Sequence, residues 1–196
     1  MPFPISLKRS KKNVIQKRVS GDDLVRLQDK YGIYYQSFDR QEGTRVWQGE
    51  VERVMLSSND YLGLGSHPRV LEAARQALAE WGSSTTGARL ANGSRRYHAE
   101  LEAELADFLG VEACMVSAAG YLSCMSAVAS FATRDDRIYA DKNVHSSLVA
   151  GMKLSDARVE RFRHNDPRDL REALEADDPA RGGRMLLFEG VYSMEG

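Results

Sequence analysis

From residue 113 onward, short apolar runs alternate at regular spacing with longer segments whose apolar residues recur at helical period. The runs at 113–117, 137–140, 158–162 and 184–189 read as strands, and 120–132, 146–154 and 168–176 read as helices between them. A chain patterned this way has few options. Strands separated by helix-length segments build βαβ units, whose right-handed crossovers put helices on both faces of a mostly parallel sheet. The expected fold class is therefore α/β, and 196 residues are enough for a sizeable core.

The earlier part of the chain is less regular. Asp22 to Tyr31 reads as a short helix with Leu24, Val25 and Leu27 on one side. Thr44–Trp47 and Val51–Leu56 read as two strands joined by a turn at Gln48-Gly49-Glu50. Residues 57–65 are polar, then punctuated by glycine, and read as a loop. Pro68 suits the first turn of a helix reaching Trp81, with Val70, Leu71, Ala74, Ala77 and Leu78 on its apolar face and Gly82 as its stop. A second small-residue loop spans 83–93. A helix from about Arg95 to Leu109 follows, with Leu101, Leu105, Phe108 and Leu109 expected inward and Gly110 as its stop.

Composition excludes some function classes. The net charge of −1 gives no case for a nucleic-acid partner. No apolar run is long enough to span a bilayer as a helix, and no signal-peptide core follows the basic start, so a cytoplasmic location is the default expectation. Cys114 and Cys124 sit in apolar segments and read as reduced, buried thiols. Residues 1–19 carry Lys8, Arg9, Lys11, Lys12, Lys17 and Arg18 and no acidic residue. They read as a basic, flexible tail; contact with anionic lipid and a mitochondrial presequence are the alternatives this composition leaves open.

In open parallel sheets, ligands bind beyond the carboxyl ends of the strands. The turn Ser117-Ala118-Ala119-Gly120-Tyr121 follows one run and opens a helix, so its N–H groups form a cup suited to phosphate. Asp141 to His145 follow the next run, Arg163 to Asp166 the third, and Glu189 to Ser193 the last. One edge thus collects a phosphate-type turn, an imidazole, a carboxylate and a hydroxyl, which together favour a bound anionic cofactor. There is no G-x-G-x-x-G after a strand, no phosphate loop ending in Gly-Lys-Ser/Thr and no G-x-S-x-G elbow. His98 and Glu102 stand four apart on a predicted helix; a third ligand is missing, so a helix-surface pair is the expectation rather than a metal site.

These residues fall into a familiar series. Ser57-Ser58-Asn59-Asp60-Tyr61-Leu62-Gly63-Leu64, Gly87-Ala88-Arg89 through Gly93, His98 to Phe108, Gly120-Tyr121, Asp141 to Ser147, Phe162 to Asp166 and Glu189 to Gly196 occur in order. From about residue 44 the chain resembles the α-oxoamine synthases, pyridoxal-phosphate enzymes that condense an amino acid with an acyl thioester and release carbon dioxide. The resemblance implies an aspartate-aminotransferase-like (fold type I) large domain, of which residues 66–196 are the first part, preceded by a segment over 20–65. It also implies pyridoxal 5'-phosphate as cofactor, amino-acid and acyl-thioester substrates, and a homodimer with the 83–93 loop near the partner.

The same resemblance assigns roles. Ser117, Gly120 and Tyr121 fall where the family binds the cofactor phosphate. His145, the catalytic candidate, falls where an imidazole stacks on the pyridine ring. Ser193 falls where a hydroxyl meets the phenolic oxygen, with Glu189 supporting that site. Asn59 falls where the amino-acid carboxylate is contacted. Cys124 departs from the family's usual asparagine, and Leu27 to Tyr31 lacks the arginine run that serves a dicarboxylic acyl donor. The family's Schiff-base lysine and pyridine-nitrogen aspartate have no counterpart up to Gly196, so the expectation is the first part of a longer enzyme. An aminotransferase or carbon–carbon lyase on the same fold, and a cofactor-less partner subunit, are the rival readings.

Overall fold

The computed structural model describes residues 23–32, 36–177 and 182–196. The basic segment 1–19, and the side chains of Leu24 and Val25, lie outside the described residues. The chain divides into two compact units at Ser84/Thr85.

In the first unit, α1 (Asp23–Tyr31) precedes a meander of β1 (Arg40–Glu42), β2 (Arg45–Gln48) and β3 (Val51–Val54), followed by α2 (Pro68–Trp81). β2 and β3 pair antiparallel with Gln48 opposite Val51, so Gly49-Glu50 form a two-residue turn. Gly49 sits at φ 59°, the left-handed conformation such hairpin turns require. β1 was not expected. Its sequence Arg-Gln-Glu carries no apolar pattern; it pairs with β2, and Arg40 lies over the Trp47 ring at 3.9 Å. Pro68 and Gly82 bound α2 as expected, but none of its residues is buried, so its apolar side stays exposed.

The second unit begins with the 85–95 loop and contains α3 (Arg96–Leu109), α4 (Gly120–Phe131), β4 (Arg137–Asp141), α5 (Ser146–Leu154), β5 (Arg158–Phe162), α6 (Pro167–Glu175) and β6 (Arg184–Leu187). The three strands form a parallel sheet in the order β5-β4-β6. Ile138 and Ala140 turn one face of β4 towards α4 and α5, forming a core with Val128, Ala132, Val144 and Met152. Gly151 allows these two helices to meet: a Cβ there would lie 2.7 Å from both the Met125 carbonyl oxygen and the Val128 Cβ. On the other face, the buried Tyr139 donates its hydroxyl to Asp177 at 2.7 Å, just beyond α6. Asp177 also receives Arg137 at 2.7 Å and Arg184 at 3.2 Å. Helices thus flank both faces of the sheet.

Three expectations need correction. Residues 113–117 form no strand; an apolar run becomes a strand only by pairing, and side chains hold the Val116 backbone instead. Leu101, Phe108 and Leu109 of α3 are exposed rather than inward, and only Ala106 of that helix is buried. Cys114 and Cys124 are free thiols, but Cys114 is half-buried and Cys124 exposed.

Candidate active site

The turn before α4 is built from residues too small to cap it. Ala119 is the N-cap, in extended conformation, and no side chain bonds the first N–H groups of the helix. A Cβ at Gly120 would meet nothing within 4 Å. Ser117 is exposed and donates its hydroxyl to the Ala119 carbonyl at 3.3 Å, folding the turn over itself. Uncapped N–H groups, a hydroxyl and open space together suit an anion.

His145 faces this turn from the loop after β4. Its ring meets Tyr121 edge-on, centroids 5.9 Å apart at 74°. The Tyr121 hydroxyl donates to the Ser146 carbonyl at 3.3 Å, tying the two loops together. His145 caps α5: its Nδ1 accepts the Ser147 backbone N–H at 3.2 Å and lies 2.7 Å from the Ser147 hydroxyl. Because Nδ1 accepts, the neutral ring carries its proton on Nε2. Ser147 is fully buried, so the ring is anchored from below while its outer face remains exposed.

Glu189, after β6, accepts the backbone N–H of His145 through Oε1. The Glu189 N–H in turn donates to the Tyr192 hydroxyl at 3.2 Å. Tyr192 packs edge-on against His164, centroids 4.6 Å apart. Burial, opposed by the Glu189 N–H, pushes the Tyr192 hydroxyl above its ordinary pKa. Ser193 follows Tyr192 and is exposed in the turn closed by Tyr192 and Gly196.

Beneath these loops lies Asp141, whose role the sequence did not reveal. It is 1% exposed. Its carboxylate accepts the N–H of Asn143 at 2.8 Å and of Asn165 at 2.9 Å, and sits 3.0 Å from His164 Nδ1. Burial pushes this carboxyl up, but those two N–H groups and His164 pull it further down, below the usual carboxylate range. Asn165 takes φ 51°, a conformation that asparagine tolerates, and this presents its N–H to Asp141. The available signal was position: an aspartate ending a buried parallel strand has few places to find solvent.

The structure therefore joins Tyr121, His145 and Glu189 directly, with Ser117 and Gly120 in the turn that Tyr121 belongs to and Ser193 beyond the same sheet edge. Asn59 belongs to the first unit. It accepts the Tyr61 hydroxyl at 3.3 Å and lines a cleft with Gln41, Gly43, Asp60, Gly65 and Ser66. His98 and Glu102 have protein partners: His98 accepts the Arg95 N–H at the start of α3, and Glu102 pairs with Arg89. Among the described residues no cluster could hold a metal ion, and no helix is long and apolar enough to cross a membrane.

A parallel sheet whose strand ends gather an uncapped helix N-terminus and an anchored imidazole is the arrangement of a class of cofactor-binding folds. The chain belongs to the aminotransferase class I and II family, whose model matches residues 51–196. Within it, the chain is 41% identical over 143 residues to a serine palmitoyltransferase of Caulobacter vibrioides, covering 73% of this chain and 35% of that protein. It is 43% identical over 143 residues to an 8-amino-7-oxononanoate synthase of Methylobacterium radiotolerans, covering 73% and 38%. The solved serine palmitoyltransferase of Sphingomonas wittichii superposes with a TM-score of 0.85 at 32% identity, over 93% of this chain and 47% of that one. A structure described as SPT with PLP superposes at 0.86 with 27% identity, over 93% and 47%. The chain thus spans less than half the length of these relatives.

Proposed function

We propose that this chain is the amino-terminal part of an α-oxoamine synthase, a pyridoxal-phosphate-dependent acyltransferase that condenses an amino acid with an acyl thioester and releases carbon dioxide. The observation that carries the reading is the His145 ring, anchored by Ser147 and Glu189 and set edge-on to Tyr121 beside the uncapped start of α4. When bound, pyridoxal phosphate supplies an electron sink for the carbanion formed at the amino-acid α-carbon.

The residues of this chain fit that group. The first N–H groups of α4 and the Ser117 hydroxyl receive the phosphate, favoured by the helix dipole. The His145 ring offers a flat face for stacking and leaves Nε2–H to orient an incoming carbonyl. Glu189 fixes the His145 backbone, and the Ser193 hydroxyl serves the phenolic oxygen. Asn59 takes the amino-acid carboxylate. The enzyme is a cytoplasmic homodimer in which the 83–93 loop lies near the partner, and residues 66–196 begin its cofactor domain. The 196-residue chain by itself binds pyridoxal phosphate weakly and does not turn over, since Lys142 and Lys153 match no family lysine.

The test is to supply the enzyme with pyridoxal phosphate, an amino acid and a series of acyl-CoA thioesters, and to follow carbon dioxide and free thiol. Release that depends on the thioester supports the reading. A visible-band response to keto acids but not to thioesters makes the protein an aminotransferase instead. For the isolated chain, a stoichiometric borohydride-trapped adduct on Lys142 or Lys153 accompanied by turnover would overturn the expected inactivity.

A further inference from the structure

Val116 stands one residue before the phosphate-type turn, and one ion pair grips its peptide groups on both sides. Its N–H donates to Glu102 Oε1 at 2.9 Å, and its carbonyl accepts Arg89 Nη1 at 3.3 Å. The same two side chains bond each other twice, Nη1 to Oε1 and Nη2 to Oε2, both at 3.0 Å. Arg89 is held in turn: its Nε donates to the Ser94 hydroxyl at 3.1 Å, and that hydroxyl donates back to the Arg89 carbonyl at 2.8 Å.

A neighbouring strand would bond the N–H and carbonyl of a residue along one edge in the same way. Here a guanidinium and a carboxylate supply both bonds. Isolated exposed ion pairs contribute little to stability, but this one is two-pronged, only partly exposed and networked to backbone, which is the case where geometry counts. The Arg89 hydrogen bonds and then the Val116 N–H hold the Glu102 carboxyl below its ordinary pKa.

We infer that Arg89 and Glu102 are positioning residues for the phosphate cup: by holding both peptide groups of Val116, they set where the N–H groups after Ser117 point. The inference rests on the cofactor reading proposed above. It concerns only the phosphate end of the ligand, because neither side chain contacts His145 or Glu189 in the bonds described.

The experiment titrates pyridoxal phosphate and unphosphorylated pyridoxal into the full chain, comparing wild type with E102A, E102Q and R89K. E102A is expected to weaken pyridoxal phosphate about tenfold while leaving pyridoxal unchanged, because the loss of the charged acceptor at the Val116 N–H is expressed at one end of the ligand. E102Q keeps one acceptor for Val116 and should restore part of the loss; R89K, which keeps the charge but not the fork, should not. In the ligand-free protein, amides 116–121 should exchange faster in E102A and R89K, with the far-ultraviolet spectrum retained. An unchanged ratio of the two affinities in E102A, or both ligands weakened alike, overturns the inference. If wild type itself does not prefer the phosphorylated ligand, the cofactor reading fails. The amide exchange then decides the inference, and unchanged exchange at 116–121 overturns it.

Discussion

The carboxylate of Glu189 accepts the backbone N–H of His145, so the loop after β6 holds the loop after β4 by its main chain. The imidazole is thereby placed by a residue that need not touch the ligand. An anchor on the backbone fixes where the ring starts, and Ser147 fixes how it turns.

This anchor predicts a separation between two substitutions. Glu189→Ala removes the acceptor and should weaken cofactor binding about tenfold, the usual cost of losing a hydrogen bond to a charged group. Glu189→Gln keeps an acceptor oxygen and should lose less than half of that effect on the free-energy scale. Cofactor absorbance titrations measure both; equal affinity in Glu189→Ala and wild type would remove Glu189 from the positioning role.

Asp141 should make the second unit acid-sensitive. Its carboxyl is held below the ordinary range in the folded protein, so it binds a proton more readily when unfolded. The stability it contributes is complete above the unfolded value, about pH 4, and is lost as pH falls towards the lower folded value. Asp141→Asn should flatten that part of the acid-unfolding curve and cost about 2 kcal/mol at neutral pH, since an amide cannot accept from all three donors. Urea melts between pH 3 and 7 give the comparison, and parallel curves for the two proteins would contradict it.

Among the described residues, Asp177 is the anion that Tyr139, Arg137 and Arg184 share, and its side chain has no exposure. Asp177→Ala would leave a buried hydroxyl and the Arg137 guanidinium without their carboxylate, and Arg184 with only the main-chain carbonyl of that residue as acceptor there. A loss of about 3 kcal/mol is expected, at the lower end for a broken buried pair because both arginines remain partly solvated. Tyr139→Phe, which removes only the hydroxyl, should cost about 1 kcal/mol. Denaturant melts that rank the two in the opposite order would dismiss Asp177 as the centre of the network.

Gly151→Ala tests the α4–α5 contact. The added Cβ falls 2.7 Å from the Met125 carbonyl oxygen, a backbone atom that cannot swing aside. Pushing α4 outwards should cost about 1–3 kcal/mol, against the small gain alanine gives an unconstrained helix. Because α4 carries the phosphate-type turn at its start, cofactor affinity should fall with stability. A more stable Gly151→Ala protein would mean that the helices are free to separate.

Much of this was legible in the sequence for a physical reason. β4, α5, β5, α6 and most of β6 were placed within about one residue because their limits are set locally, by proline at a first turn and by strand-to-helix changes of period. What escaped depends on distant parts of the chain. Residues 113–117 have a strand's composition, but composition cannot say whether a ladder forms. The apolar face of α3 was visible, but not what covers Phe108, which is exposed. The contacts among His145, Tyr121 and Glu189 were anticipated only as a gathering at one edge. The Asp141 and Asp177 centres were missed because their partners lie 23 and 38 residues away.

The strand order β5-β4-β6 has a consequence for the route by which the chain folds. β6 pairs with β4, not with the strand that precedes it, so the sheet cannot zip from one edge to the other. The β4–β5 ladder closes a shorter loop, through α5, and loop closure favours it first. β6 then docks on the far side of β4, carrying Glu189 to His145. Pulse-labelled amide exchange during refolding should show Arg158–Phe162 protected before Arg184–Leu187, and simultaneous protection would refute this order. The tie from Glu189 to His145 would arrive with β6, so a chain in which β6 has not docked would hold the β4–β5 ladder without the anchor on the imidazole backbone.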